Sequence, residues 1–111
     1  MLEKDIVTAI LRYLKTEPHC FAWKTHGGMY GQAGLPDIIV CFNGLFTAFE
    51  VKTPIGKLTK LQESTLQRIR DAKGEAFKVT STDEVRMVIK NLGERLEDKR
   101  YDSKANRVHK V

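Results

Sequence analysis

Apolar positions recur along this chain with changing period, and each change marks an element. Ile6, Val7, Ile10, Leu11 and Leu14 form a stripe at helical spacing, which predicts a first helix over residues 3–16, ended by Pro18. Phe21 and Trp23 alternate with smaller or polar neighbours, predicting a strand over about 19–25. A glycine-rich loop runs from His26 to Gly34. Two apolar, β-branched runs follow, over about 36–42 and 45–53, with Asn43-Gly44 between them. Asn-Gly in that setting is the strongest short-range hairpin signal. Both faces of these strands are apolar: Ile39 and Ala48 on one, Ile38, Val40, Phe42, Phe49 and Val51 on the other. Strands covered on both sides belong in the middle of an α/β sandwich.

Pro54-Ile55-Gly56 breaks the second hairpin strand. Thr59 then caps a predicted helix running to about Lys73, with Leu61, Thr65, Leu66, Ile69 and Ala72 inward and Gly74 as its stop. Glu75 to Thr80 reads as a fourth strand. Ser81 or Thr82 opens a last helix carrying Val85, Val88, Ile89 and Leu92, ending before Gly93. The order is α-β-β-β-α-β-α, one layered α/β unit over residues 1–93. Residues 94–111 form a polar C-terminal tail: a short helix, a partner-ordered arm, or disordered.

The hairpin register brings chemistry into view. Across a two-residue loop at 43–44, residues whose numbers sum to 87 lie opposite each other, so Asp37 faces Glu50. Directly paired side chains sit roughly 4.5–5.5 Å apart at Cβ. Period-2 alternation puts Lys52 on the same face as Glu50. Two acids and a lysine therefore converge on one side of an otherwise apolar hairpin. A hard divalent cation such as Mg²⁺ takes one or two carboxylates plus substrate phosphate. Asp37 and Glu50 would supply them, with the backbone carbonyl of Val51 as a third oxygen. Such an ion neutralises charge on a phosphodiester under attack. Lys52 can hold the attacking water or stabilise the developing charge. The other reading is a cross-strand salt bridge in which Lys52 merely neutralises the acids.

Composition narrows the setting. The 111 residues suffice for one modest core. Nineteen basic against fourteen acidic residues give a net charge of +5 and a pI near 9.3. That balance suits a polyanion, most often nucleic acid, although ordinary solubility is also served by it. No stretch approaches the roughly 20 apolar residues of a membrane span, and no secretory signal opens the chain. Cys20 and Cys41 lack metal-ligand spacing and read as reduced core residues, so the expected location is cytoplasmic. The glycine loop has no Walker spacing, which argues against a nucleotide cofactor.

Gly34-Leu35-Pro36-Asp37, then Phe49-Glu50-Val51-Lys52, then Gln62 resembles the PD-(D/E)XK nuclease superfamily. More closely, it is similar to the virus-type replication-repair nuclease (VRR-NUC) family in its small stand-alone form, found in phages and bacteria. The resemblance runs from Glu3 to about Leu92. It implies a central mixed sheet between helices, and a nuclease using Mg²⁺, with Mn²⁺ able to substitute. Asp37, Glu50, Lys52 and Gln62 would be the catalytic set, with Gln62 orienting the water or the lysine. Gln62 lies four residues from both Leu58 and Leu66, so it interrupts an apolar face, and a satisfied core amide is the alternative.

The resemblance also implies that Glu3 reaches the metal from the first helix. A first-turn acid favouring the helix dipole is the plainer reading. Lys24 stands where relatives carry a basic residue, either touching the scissile phosphate or simply solvated. Tyr30 is available to stack, and Lys57, Lys60, Arg68, Arg70 and Lys73 give residues 54–73 a basic bias, some of them contacting phosphate and others solvated. The implied partner is branched DNA such as a four-way junction, read by shape and phosphate contacts. Since one small domain cuts one strand, a homodimer is expected for paired incision. A non-catalytic nucleic-acid-binding module on the same fold, and a restriction-like or RNA nuclease, are the competing readings.

Overall fold

Asn43 and Gly44 both take positive φ, 51° and 83°, the backbone of a type I′ turn, whose twist matches that of the strands it joins. The computed structural model describes the backbone of residues 1–26 and 33–106, with side chains as far as residue 98. The turn joins β2 (Ile38–Phe42) to β3 (Leu45–Val51) in the predicted register, Phe42 opposite Leu45 and Ile38 opposite Phe49. β1 (Cys20–Lys24) adds antiparallel to β2, and β4 (Glu75–Val79) adds parallel to β3. The sheet order is β1-β2-β3-β4. Its single parallel pair requires a crossover, which α2 (Lys60–Asp71) supplies. With α1 (Glu3–Leu14) and α3 (Thr82–Asn106), the order is the α-β-β-β-α-β-α read from the sequence.

The two faces of the hairpin meet different helices. Ile38, Val40, Phe42, Phe49 and Val51 pack with Ile6, Ile10 and Leu14 of α1 and Val85, Ile89 and Leu92 of α3. Ile39 and Ala48 face the other way, where Ala76, Leu66 and Ile69 complete a smaller cluster under α2. Two alanines in that floor let α2 settle close to the strands. Arg86 of α3 lies over the ring of Tyr13, 4.5 Å from its centroid, joining the two helices of the larger layer. Arg70 of α2 donates two hydrogen bonds to the Ala76 carbonyl, which ties α2 to β4.

Two helix ends differ from expectation. Lys73, not Gly74, takes the left-handed conformation after α2, with φ 75°. Its N–H donates to the Arg70 carbonyl and that of Gly74 to the Ile69 carbonyl, a Schellman closure. Gly93 does not end α3, which continues to Asn106. A glycine in a helix costs about 1 kcal/mol relative to alanine. Leu96 continues the stripe of Val85, Ile89 and Leu92 onto the core and offsets that cost. Gly93 itself lies over the Phe42 ring. None of the helices among the described residues is long and apolar enough to cross a membrane.

Gly34, directly before Leu35-Pro36-Asp37, sets how closely α2 approaches. Its φ is +81°, and a Cβ there would meet Leu61 Cγ at 2.6 Å. Leu61 lies in the first turn of α2, next to Gln62. Gly34→Ala therefore strains the backbone and pushes the start of α2 outward. The expected loss is about 1–3 kcal/mol, read as a lower urea midpoint. An unchanged midpoint would refute this close approach.

Candidate active site

Regular pairing of β2 with β3 ends at Ile38 and Phe49. One step further, the ladder is continued by a side chain. Val51 N–H points to the β2 side, and the Asp37 carboxylate accepts its hydrogen bond at 2.8 Å. Since the N–H and C=O of a strand residue point the same way, the Val51 carbonyl lies on that side too. Thr25 secures Asp37 from the other flank. Its N–H donates to the Asp37 carbonyl at 2.9 Å, and its hydroxyl donates to the Pro36 carbonyl at 2.6 Å. Sequence reasoning missed Thr25. Its signal was available: it lies two residues beyond Trp23 in the same strand phase, one step past the last pair of β1 with β2.

Glu50 sits opposite Asp37 and is 3% exposed. Burial pushes its carboxyl up, to about 8, and a hydrogen bond with Asp37 and that group's charge act in the same direction. Lys52 opposes the shift, and Glu3 adds slightly to it. The pair is thus two acids held close enough to share one proton. Lys52 follows on the same face, half-buried, its N–H bonded to the Val79 carbonyl at 3.0 Å.

Gln62 reaches the pair from α2, and the way it is held was not foreseen. Thr59 and Gln62 form a capping box: the Thr59 hydroxyl accepts from Gln62 N–H at 3.1 Å, and the Gln62 amide oxygen accepts from Thr59 N–H at 2.9 Å. With its oxygen so engaged, the amide presents its NH₂ to Glu50 Oε2, at 3.4 Å. The Thr59-x-x-Gln62 spacing was the available signal. The capping box therefore orients an amide toward the buried acid.

The remaining candidates are more scattered. Glu3 is exposed at the start of α1 and near enough to act on Glu50 through its charge. Lys24 pairs with Ile38, on the face covered by α1 and α3, opposite to that of Lys52. Lys57 and Lys60 are exposed just before and at the first turn of α2. His26 is exposed beyond β1, and Tyr30 lies outside the described residues. Cys20 is half-buried against the larger core, and burial raises its thiol pKa. Cys41, expected in the core, is exposed. It faces Phe21 across the ladder, on a stretch of sheet that α2 does not cover.

The donor set fits a hard cation in part. Two adjacent carboxylates, one of them held protonated by burial and its neighbour, can exchange that proton for a divalent ion. Among the described residues no group of three or more histidine, cysteine, aspartate or glutamate side chains is gathered for a metal. Further oxygens would come from the Val51 carbonyl, water or a substrate phosphate.

Among solved structures the chain is similar to a VRR_NUC domain protein at 17% identity, covering 82% of this chain and 87% of that one, with a TM-score of 0.65. A second, a VRR_NUC domain, matches at 22% identity over 78% of this chain and 89% of its own, with a TM-score of 0.57. The chain has the VRR-NUC fold. No family model matches it, and neither does any curated protein. At these identities the likeness carries the architecture, and the chemistry rests on the residues. The mixed sheet between helices is the one that the hairpin register, the crossover and the two packed faces build in this chain.

Holding Glu50 protonated has a consequence for stability. Its folded pKa near 8 exceeds the ordinary 4.5. Between those values the folded chain keeps a proton that the unfolded chain has lost, so this group's contribution falls as pH rises through that window. Metal-free protein should thus lose thermal stability from pH 5 to pH 8, and Glu50→Gln should flatten the loss and melt higher at pH 8. Equal slopes for the two proteins in EDTA would contradict the raised pKa of the buried Glu50.

Proposed function

We propose that this chain is a divalent-metal-dependent endonuclease that hydrolyses phosphodiester bonds in DNA, selective for branched structures such as four-way junctions. The observation that carries the reading is the buried Glu50 paired with a half-buried Asp37, with Lys52 on the same face. Charges are rarely placed in so apolar a hairpin without a compensating use. The VRR-NUC fold of the neighbouring structures supports the same class.

Asp37 and Glu50, with the Val51 carbonyl, would hold Mg²⁺ or Mn²⁺, which neutralises charge on the phosphodiester under attack. Lys52 donates hydrogen bonds from the same face to oxygens on which charge develops. Gln62, anchored by its cap, orients Glu50. The N-terminus of α2 opens beside these groups, and its dipole favours phosphate. Net charge of +5 draws the chain to a polyanion. One site cuts one strand, so paired incision across a junction calls for a two-fold homodimer.

With Mg²⁺, the protein should nick a labelled four-way junction, and EDTA should stop it. Asp37→Asn, Glu50→Gln and Lys52→Ala should each slow cutting by at least about 100-fold, with junction affinity changing by only a few-fold. Failure to cut any DNA or RNA structure would leave a binding module as the function. Normal cutting by Lys52→Ala would remove its assigned role alone. Sedimentation with bound junction should give two chains per complex.

A further inference from the structure

The sheet face that carries Asp37, Glu50 and Lys52 is only partly covered. α2 rests on Ile39, Ala48 and Ala76. Among the described residues, none packs over β1 on this face, on the far side of β2. Trp23 pairs with Ile39 and Phe21 with Cys41, so both aromatic side chains project from the same face as the acids. Trp23 is 43% exposed and Phe21 70% exposed. Their ring centroids lie 5.6 Å apart, with planes inclined at 42°. Neither ring is among the residues packed into either core.

These rings form a ridge that leads to the acids. Thr25, two residues beyond Trp23, bonds the backbone of Asp37. At about 3.3 Å per residue and 4.8 Å between strands, the Trp23 backbone lies roughly 8 Å from that of Asp37, and Phe21 roughly 14 Å. Across β2 the surface continues into a cavity of about 460 Å³, floored by Ile39 and Phe46 and bounded by Leu35, Pro36 and Arg68. One apolar surface thus runs from β1 past Ile39 to the cavity, with Arg68 at its edge and Lys52 on the same sheet face beyond Asp37.

We infer that Phe21 and Trp23 are a stacking platform for unpaired bases of the strand whose phosphate enters the site, an inference that rests on the nuclease reading above. The chemistry selects this occupant. Exposed aromatic rings on a surface that also carries cationic side chains bind single-stranded nucleic acid, since every unpaired base offers a π-face while a duplex hides its own. The spacing agrees. Bases of a duplex strand are stacked at about 3.4 Å, whereas rings 5.6 Å apart and inclined match bases that have left the stack. The substrate features served are the single-stranded arms, gaps or frayed ends at a branch point, within one or two nucleotides of the cut.

Trp23 is the chain's only tryptophan, so its fluorescence reports this surface directly. In EDTA, where no cutting interferes, a short oligothymidylate and a fork with unpaired arms should quench it, and a blunt duplex of equal length should not. Trp23→Ala and Phe21→Ala should each weaken oligothymidylate binding, followed by anisotropy of a labelled strand, by about 5- to 150-fold. Duplex affinity should stay within about twofold, and Trp23→Phe should retain most single-strand affinity. Unchanged oligothymidylate affinity in Trp23→Ala overturns the platform. So does fluorescence that shifts with protein concentration alone, which would mean that a second copy of the chain covers the ridge. The two readings fail separately. Cutting with a silent Trp23 removes the platform only, and a full Trp23 response without cutting in Mg²⁺ removes the nuclease only.

Discussion

Everything at this site depends on a register that cannot slip. A one-residue shift between β2 and β3 would carry every side chain of one strand to the opposite face. In many hairpins one face is solvated and such a shift is merely costly. Here both faces are packed, with Val40 and Phe49 inside one layer and Ile39 and Ala48 inside the other. The positive-φ turn at Asn43 and Gly44 fixes the same alignment from the end. Two independent constraints therefore hold Asp37 beside Glu50 against their mutual repulsion. Held there, the pair can relieve the repulsion by binding a proton or a cation, and that is what gives it a use.

The elements around the pair are shaped to aim it. Asp37 is gripped through its carboxylate by Val51 N–H and through its backbone by Thr25. Gln62 is held by the helix cap, so its rotamer is set by secondary structure before any site interaction forms. Gly34 permits Leu61 to close on the loop and so brings the capped turn within reach of Glu50. Cap, glycine and acid form one linked assembly, in which a change in the loop before Pro36 is felt at the Gln62 amide.

Local signals made much of this legible. The turn dipeptide, the strand alternation and the helical stripes each act over a few residues, and they located all seven elements and the Asp37–Glu50 opposition. What they missed depends on longer-range packing. Gly93 reads as a helix stop until Leu96 is seen to continue the apolar stripe. Cys41 reads as core until α2 is placed, because nothing local to β2 says which part of its outer face a helix will cover. Lys24, which the resemblance brings toward the scissile phosphate, has the strand phase of the opposite face and is exposed there. Thr25 acts on Asp37 across a strand pairing that no hairpin signal announces.

The uncovered part of the sheet follows from the same geometry. Four strands at about 4.8 Å spacing span more width than one helix, about 10 Å across, can cover. Among the described residues the face under α1 and α3 has two helices, and Ile38 and Val40 there are at 0% exposure. The face under α2 has one among them. A second helix there would bury Phe21 and Trp23, and it would also roof over Asp37 and Lys52, closing the site to anything larger than a small molecule. A polymer must enter from the side and leave in both directions, so a site for a polymer needs an open flank. Among the described residues the open flank is β1, and Phe21 and Trp23 line it. The open flank and the exposed rings on it are therefore two consequences of one arrangement, a single helix among the described residues on the face that carries the acids.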